Sequence, residues 1–334
     1  MQPAEKTIAD GAQDDTMNAG ASPTPSHPPN SGTDAAAGPG YLPEPSPAAC
    51  QAVADLVALL RLEALEKNLF RGNSLDIGSH AVFGGQVLGQ ALMAAGRTVE
   101  GQPVHSLHGY FLRAGDKTAP IVYEVDRIRD GASFVTRRVV AIQHGQAIFH
   151  MSASFHRPED GPAEHQGLMP IARPPEELDN DHERERARLH LMPERSHAHL
   201  RSASAVDMRS TDPLDLLAPE LRPPHSLHWL RAAAPLPDEP LLHHALLAYA
   251  SDWSLMRVAM LPHGLSWTQP GVQGVSLDHA MWFHRGFRFD EWMLYQKDSP
   301  SLSDSRGFCR GSLWSREGQL LASVAQEGLI RKRV

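Results

Sequence analysis

Two stretches of the chain have the spacing of apolar residues that is typical of amphipathic helices. The stretch Ala52–Leu60 predicts a short helix. The sequence Phe83-Gly-Gly-Gln86 opens a second helix, because two glycines let the backbone enter it tightly. Apolar residues then recur three or four positions apart on one wide face. These residues are Val87, Leu88, Ala91, Leu92 and Ala95. A helix this thin and apolar suits the centre of a wrapped sheet.

The residues after this helix alternate between apolar and polar, as half-buried β-strands do. The turns Arg129-Asp-Gly131 and His144-Gly145 would join neighbouring strands as antiparallel hairpins. A shorter strand, Asn68–Gly72, comes before the helix. The four longer strands are predicted at Ser106–Leu112, Pro120–Arg129, Phe134–Gln143 and Ala147–Phe155.

The second half of the chain repeats this order. Trp229–Ala232 resembles the first short strand, and Leu242–Met260 predicts a helix whose apolar seam contains Asp252. Four more strands follow the helix. They are predicted at Val275–Arg285, Trp292–Lys297, Gly307–Ser315 and Leu320–Ile330.

A constant sequence offset supports the repeat. Four pairs of residues are separated by 172 positions (285 − 113 = 172), and Gly145 is separated from Gly318 by 173. The four pairs are Arg113 and Arg285, Tyr123 and Tyr295, Ser133 and Ser305, and Arg138 and Arg310. We therefore interpret the chain as two copies of one β-rich unit. The first copy is predicted at residues 51–157 and the second at 223–334, joined by a charged linker at 158–222.

The first fifty residues have a different composition from the rest. Residues 1–49 contain nine of the 27 prolines together with many alanines, glycines and serines, and almost no aromatic residues. Such a segment cannot bury enough apolar surface to fold, so residues 1–50 are predicted to form a disordered tail. It lacks the basic and apolar regions of a secretory signal.

Charge and cysteine content narrow the function and the compartment. The net charge of −8 argues against nucleic acid or an anionic membrane surface as the main partner. No apolar run is long enough to span a membrane. Cys50 and Cys309 lie far apart and form neither a disulfide framework nor a metal-binding spacing. The pair His197-Ala-His199 has no third ligand nearby, so no metal site is predicted. A reducing, cytoplasmic compartment is expected.

Several motifs, taken in order, resemble those of the acyl-CoA thioesterase II family. The resemblance extends from about residue 54 to residue 332, and residues 158–222 match poorly. The motifs of the first copy are Val82–Gln90, Tyr110–Arg113 and Arg129–Phe134, followed by Arg137, Arg138 and Gln143. The motifs of the second copy are Tyr249–Asp252, Asp278–Arg285 and Gln326–Gly328.

The resemblance implies both a fold and an activity. The fold class is α+β, a tandem (double) hotdog in which two antiparallel sheets each wrap around a central helix. The activity is hydrolysis of fatty acyl-CoA to free fatty acid and CoA, with no cofactor. The family's catalytic trio of Asp, Thr or Ser, and Gln corresponds by motif position to Asp252, Ser276 and Gln326. The chain ends Lys332-Arg-Val334, which departs from the targeting tripeptide of the family's peroxisomal members.

The residues themselves support this trio unequally. A carboxylate at Asp252 in an apolar seam is costly unless it is paired, although a partly exposed position near a helix end would explain it equally well. Gln326 shares a strand face with apolar neighbours and needs a partner, which a structural hydrogen bond to backbone could also provide. Ser276 depends on the resemblance, because alternation leaves the inward face of its strand undecided.

One active site per chain is predicted, in the second copy. The helix between Val82 and Val99 has no acidic residue, and the counterpart of Gln326 at an offset of 173 is Ala153. Asp252 would then accept a proton from a water molecule that Ser276 and Gln326 hold. The oxyanion would be bound by backbone N–H groups near the start of a helix.

Two other functions stay open at this point. An acyl-thioester dehydratase or hydratase on the same fold would use a histidine, for which His279 and His108 are candidates. A non-catalytic acyl-CoA-binding protein is the other alternative. A serine nucleophile is disfavoured, since Gly274-Val-Ser-Leu-Asp278 lacks the second glycine of the G-x-S-x-G elbow and precedes a strand.

The CoA moiety is expected to bind to arginines. The chain contains no G-x-x-x-x-G-K-[ST] phosphate loop. The candidates are Arg113, Arg137, Arg138 and Arg310. A homo-oligomer, either a dimer or a tetramer, is also expected from the fold class.

Overall fold

The protein is described by a computed structural model that covers residues 44–333. Residues 1–43 of the predicted tail lie outside the described residues. In the first copy, the structure has two helices and six strands. These are α1 (Pro47–Leu60), β1 (Glu63–Glu66), β2 (Leu69–Gly72), α2 (Gly84–Gly96), β3 (Val104–Phe111), β4 (Ile121–Asp130), β5 (Phe134–Gln143) and β6 (Gln146–His156).

The remainder of the chain contains three α-helices, several short 3₁₀ turns and seven strands. These helices and strands are α3 (Asp181–Ala187), α4 (His197–Arg201), β7 (Val206–Ser210), β8 (His225–Ala232), α5 (Pro240–Ser251), β9 (Val272–Ser276), β10 (Asp278–Phe283), β11 (Met293–Ser303), β12 (Arg306–Ser315) and β13 (Leu320–Lys332). The region predicted as a linker therefore contributes an ordered strand, β7, which pairs with β8.

The described strands form one continuous antiparallel sheet, not two separate sheets. Its order is β1-β2-β4-β5-β6-β3-β10-β13-β12-β11-β8-β7, and β9 pairs with β13. The two copies join where β3 pairs with β10, with Gly109 opposite His279 and Leu107 opposite Met281. Each copy thus provides half of the sheet and one long helix, α2 or α5.

Helices α2 and α5 pack against each other inside the sheet, and both are almost entirely buried. Two glycines permit this close approach. A methyl group at Gly89 would lie 2.9 Å from the carbonyl oxygen of Ala245. A methyl group at Gly85 would collide with the carbonyl oxygen of Tyr249. Gly85 and Gly89 therefore face the other helix.

Equivalent contacts in the two copies reflect the 172-residue offset. Asp126 pairs with Arg138 across β4 and β5, and Asp298 pairs with Arg310 in the same way across β11 and β12. The repeat found in the sequence is therefore also a repeat of side-chain contacts.

The first helix begins earlier than the apolar pattern indicates. Helix α1 starts at Pro47, and the side chain of Ser46 caps it by accepting from the backbone N–H of Ala49 at 3.2 Å. Proline is favoured in the first turn of a helix and serine at its cap. The predicted tail of residues 1–50 therefore overlaps the folded part of the chain.

The predicted helix Leu242–Met260 is also too long. Helix α5 ends at Ser251, and Asp252 is its C-cap. Two residues later Ser254 has φ of 64°, a left-handed conformation that an α-helix cannot contain. A 3₁₀ turn at Met256–Ala259 follows.

The predicted strand Val275–Arg285 is interrupted at Leu277. Strands β9 and β10 follow one another along the same edge of β13. At the break the carboxylate of Asp278 accepts the backbone N–H of Glu327 at 2.7 Å, in place of a backbone acceptor. The break changes the face on which Ser276 lies, because alternation no longer continues across it.

Candidate active site

Asp252 lies where α5 gives way to an irregular turn. Its side chain is only 6% exposed. The turn is supported from the sheet by Lys297, whose buried ammonium donates to Oγ of Ser254 at 2.6 Å. Burial, together with the nearby Arg257, lowers the pKa of Lys297 to about 7. The position of Asp252 therefore depends on a turn that α5 and β11 hold jointly.

Gln326 connects Asp252 to Ser276. Its amide nitrogen donates to Oδ1 of Asp252 at 2.8 Å and to Oγ of Ser276 at 2.7 Å. Gln326 is fully buried on β13, while Asp252 and Ser276 are partly buried. The structure thus brings all three predicted residues together, and the break at Leu277 turns Ser276 toward Gln326.

The first copy completes the site through the start of α2. A methyl group at Gly84 would lie 2.8 Å from Oδ2 of Asp252 and 3.0 Å from the ring of Phe111 on β3. Gly84 and Gly85 are the first two residues of the helix, so their N–H groups have no acceptor within it. The positive end of the helix dipole thus lies beside the carboxylate.

His279 lies behind the trio on β10, and its side chain is 0% exposed. Its Nε2 is 2.9 Å from Oγ of Ser251, and its Nδ1 is 4.0 Å from Oδ1 of Asp252. Burial lowers the pKa of His279, although Asp252, Asp278 and the Gln326 side chain oppose this shift. The imidazole is therefore neutral near pH 7.

A cavity of about 780 Å³ is lined by Ala250, Trp253 and Ser254, the neighbours of Asp252 in the chain, although Asp252 itself does not line it. It lies between α1, the segment after β2, the segment from α3 to β7 and the end of α5. Its wall near Asp252 includes Tyr249 and Trp253, whose rings both pack edge-on against Phe83 at 5.2 Å. Apolar residues on α1 and after β2 form much of the opposite wall: Ala48, Ala52, Leu56, Leu59, Leu75 and Ile77.

The charged groups of this cavity do not favour a phosphate. Four carboxylates line it, against the single guanidinium of Arg257. They belong to Asp55, Asp76, Asp181 and Glu185. Burial raises the pKa of Glu185, and burial lowers the pKa of His199, another lining residue, to about 4. These shifts indicate that Glu185 and His199 lie in a poorly hydrated part of the wall.

Arg137 does not fit the predicted CoA role. Its side chain is 1% exposed, and its guanidinium donates to Thr98, Asp130 and backbone carbonyls. A guanidinium that is enclosed in this way has no free face for a phosphate, so we omit Arg137 from the CoA proposal.

The other three arginines are exposed and repeat between the copies. Arg138 and Arg310 are counterparts, each paired with an aspartate. Arg113 donates to the carbonyl of Ala147 at 2.7 Å, and its counterpart Arg285 donates to that of Leu320 at 2.9 Å. Arg113 lies two residues beyond Phe111, whose ring would lie 3.0 Å from a methyl group at Gly84.

The histidines considered as dehydratase residues or metal ligands make contacts of a structural kind. His108 is exposed on the outer face of the sheet, where it packs edge-on against Trp282. His197 lies within hydrogen-bonding distance of the carbonyl of Met192, and the ring of His199 packs near Trp253. Over residues 44–333, no cluster of three or more candidate ligands could hold a metal ion.

Sequence reasoning missed Gly84, Ser254 and Lys297 as parts of the site. The double glycine before the first apolar face was a signal for a close approach, but it did not reveal that Asp252 is what approaches. Lys297 was a second signal, because it shares a strand face with Met293 and Tyr295 and a buried lysine needs a partner.

Fold and site together define a hotdog protein whose two copies share one polar cluster. A protein with hot dog fold from Alicyclobacillus acidocaldarius superposes with a TM-score of 0.68 at 18% identity, over 84% of this chain and 99% of the other. This likeness shows the fold. None of the described helices is long and apolar enough to cross a membrane.

Closer relatives identify the family. The model for the acyl-CoA thioesterase N-terminal domain matches residues 73–156, and the acyl-CoA thioesterase model matches residues 215–329. Acyl-coenzyme A thioesterase 8 of Rattus norvegicus is 41% identical over 83% of this chain and 89% of its own. Acyl-CoA thioesterase II TesB2 from Mycobacterium marinum is 44% identical, with a TM-score of 0.68 over 83% of this chain and 98% of its own. The chain belongs to the acyl-CoA thioesterase II family and is a thioester hydrolase.

Proposed function

We propose that the protein hydrolyses fatty acyl-CoA by means of a water molecule activated at Asp252. The observation that supports this proposal is the hydrogen-bonded group of Asp252, Gln326 and Ser276 beside the start of α2. Asp252 would accept a proton from the water as the oxygen attacks the thioester carbonyl. Gln326 would hold Asp252 and Ser276 in place through its two N–H groups, Ser276 would orient the water, and no acyl-enzyme is needed.

The start of α2 would stabilise the oxyanion. The N–H groups of Gly84 and Gly85 have no acceptor within the helix, and the helix dipole adds to their positive potential. Donors that are fixed before the reaction contribute strongly to stabilising a developing oxyanion. The first copy would therefore serve the reaction although it has no Asp252 or Gln326 of its own.

The cavity lined by Tyr249 and Trp253 would hold the acyl chain. Its volume lies within the range of about 300–1,000 Å³ that is usual for ligand pockets. The acidic residues in its wall would repel CoA phosphates, so the nucleotide end of CoA would lie outside, with Arg113 as the proposed cationic contact. A homo-oligomer and a cytoplasmic location remain predictions.

The proposal can be tested by incubating the protein with palmitoyl-CoA and a thiol reagent. Hydrolysis releases free CoA, whereas a dehydratase or hydratase alters the acyl chain and a binding protein releases nothing. Burial of His279 behind Gln326 supports hydrolysis, because a dehydratase needs its histidine at the substrate. Absence of free CoA at substrate concentrations well above the enzyme concentration would refute the proposal.

A further inference from the structure

Two polar atoms at the centre of the site are buried without a hydrogen-bond partner. Within the described part of the chain, they are Oε1 of Gln326 and Nδ1 of His279. Buried polar atoms are nearly always paired, because an unmade hydrogen bond leaves the cost of removing the group from water uncompensated. The two side chains are neighbours, because the amide nitrogen of Gln326 lies 2.8 Å and Nδ1 of His279 lies 4.0 Å from the same atom, Oδ1 of Asp252.

The hydrogen bonds that the Gln326 amide already makes determine which partner its oxygen needs. Its two N–H groups are used by Asp252 and Ser276. Oε1 can only accept, so it needs a donor on its other side. A neutral imidazole protonated at Nδ1 is such a donor, and His279 is the neighbouring ring.

The hydroxyl of Ser251 allows His279 this tautomer. Ser251 Oγ lies 2.9 Å from the carbonyl of Ala248 and 2.9 Å from Nε2 of His279. Its single proton can be donated to either acceptor. When it is donated to Nε2, the proton of the imidazole lies on Nδ1, and both unpaired atoms gain a partner.

We propose that His279 is a positioning residue whose Nδ1–H donates to Oε1 of Gln326 and so keeps the amide nitrogen of Gln326 on Asp252 and Ser276. This inference rests on the proposed function. His279 touches neither water nor substrate, and it acts through Gln326.

The hydrogen bond matters most during the reaction. While Asp252 is ionised, its carboxylate alone favours the amide nitrogen over the amide oxygen. Once Asp252 has accepted a proton, the carboxyl group can donate to an amide oxygen instead, so Gln326 could turn over. A donor from His279 opposes this rotation, because the turned amide would place its N–H groups against Nδ1–H.

The other copy provides an internal comparison. Gln326 corresponds to Ala153 at an offset of 173, and His279 corresponds to Leu107 at an offset of 172. Both counterparts are buried, at 1% and 0% exposure. Where the glutamine is absent, the histidine is absent too, and leucine packs in its place. This pairing supports a role for His279 that depends on Gln326.

The test uses four variants of the full chain: His279→Leu, His279→Asn, Gln326→Ala and the double variant His279→Leu with Gln326→Ala. Leucine copies the packing of the first copy without a donor, whereas the asparagine amide nitrogen can occupy the position of Nδ1. We expect His279→Leu to lower kcat by roughly 10–100-fold with little change in KM, since small misplacements of reacting groups cost up to about that much. His279→Asn should restore most of kcat.

The double variant identifies the route of the effect. If His279 acts through Gln326, the double variant has the kcat of Gln326→Ala, because no amide is left to orient. The inference would be overturned if the loss of kcat in the double variant were the product of the losses in the two single variants. It would also be overturned if His279→Leu had the kcat of the wild type. Should the leucine variant fail to fold, His279→Asn and His279→Gln decide it. The glutamine of His279→Gln reaches Ser251 but leaves Oε1 of Gln326 without a donor. Equal kcat in His279→Asn and His279→Gln would therefore also overturn the inference.

Failure of the proposed function has a different signature. In that case wild-type protein releases no CoA, or Gln326→Ala and Asp252→Asn both keep full turnover. The inference about His279 fails alone when Gln326→Ala reduces kcat and His279→Leu does not.

Discussion

The side-chain amide of Gln326 donates to Oδ1 of Asp252 at 2.8 Å, although 74 residues separate them in the chain. One residue ends a helix and the other lies in the middle of the last strand. This hydrogen bond fixes the carboxylate so that its other oxygen, Oδ2, lies beside the start of α2.

The first prediction concerns the catalytic base. Asp252→Asn keeps the size of the side chain but cannot accept a proton, so we expect kcat to fall roughly 10²–10⁴-fold with substrate binding retained. Gln326→Ala and Ser276→Ala should cost less, because neither residue accepts the proton. Free-CoA release from palmitoyl-CoA across pH 6–9 measures the effect, and near wild-type turnover of Asp252→Asn would refute the mechanism.

The second prediction concerns the start of α2. Gly84→Ala would place a methyl group 2.8 Å from Oδ2 of Asp252 and should lower kcat for every acyl-CoA, since it displaces the carboxylate. Gly286→Ala is the matched control, because a methyl group there meets no atom within 4 Å. Equal turnover of the two variants would show that the start of α2 does not border the reaction.

The third prediction concerns acyl-chain length. Ala52→Trp fills the cavity from α1, so kcat/KM for palmitoyl-CoA should fall roughly tenfold or more while butyryl-CoA is little affected. Ala54→Trp adds the same bulk on the exposed side of the same helix and should leave both substrates unchanged. The opposite assignment, in which the cavity holds the CoA arm, has a different result. In that case Ala52→Trp lowers butyryl-CoA turnover and also weakens inhibition by free CoA.

The fourth prediction compares two equivalent arginines. Arg113→Ala should raise KM for acyl-CoA roughly tenfold, the loss expected for one hydrogen bond to a charged group. It should spare acyl thioesters that lack the nucleotide. Arg285→Ala removes the counterpart in the second copy and serves as the control. A similar rise in KM for both variants would indicate a general loss of strand packing.

The fifth prediction concerns the pH dependence of stability. Burial lowers the pKa of Lys297 from 10.5 to about 7, so the unfolded chain binds more protons than the folded chain above about pH 7. The free energy of unfolding should therefore rise with pH, by up to ~1.4 kcal/mol per pH unit from this group. Below about pH 7 both states hold the proton, and this contribution no longer changes.

Lys297→Met should remove that slope. Urea unfolding of both proteins between about pH 7 and 8.5 measures the slope of the free energy of unfolding against pH. The upper limit is the pKa of about 8.5 of an unperturbed cysteine. This limit matters because burial raises the pKa of Cys309 to about 11, and unfolding would release its proton at higher pH. Parallel curves for the two proteins would show that the Lys297 ammonium is not destabilised by burial.

The sequence by itself determined the repeat, the order of the elements and the family. Alternation and helical spacing are local properties of the chain, so β5 was predicted with its observed bounds and Phe83-Gly-Gly-Gln86 marked the start of α2. The shared offset of 172 residues depends only on matching positions along the chain. Motif order then predicted Asp252, Ser276 and Gln326 as the catalytic residues without any knowledge of distances.

Only the tertiary structure decided how those residues meet. The end of α5 at Ser251 is set by the turn at Ser254, which Lys297 reaches from another strand. The inward turn of Ser276 depends on a break that Asp278 makes by bonding to β13. Local spacing cannot encode either feature, because each one results from a hydrogen bond between residues that are distant in the chain.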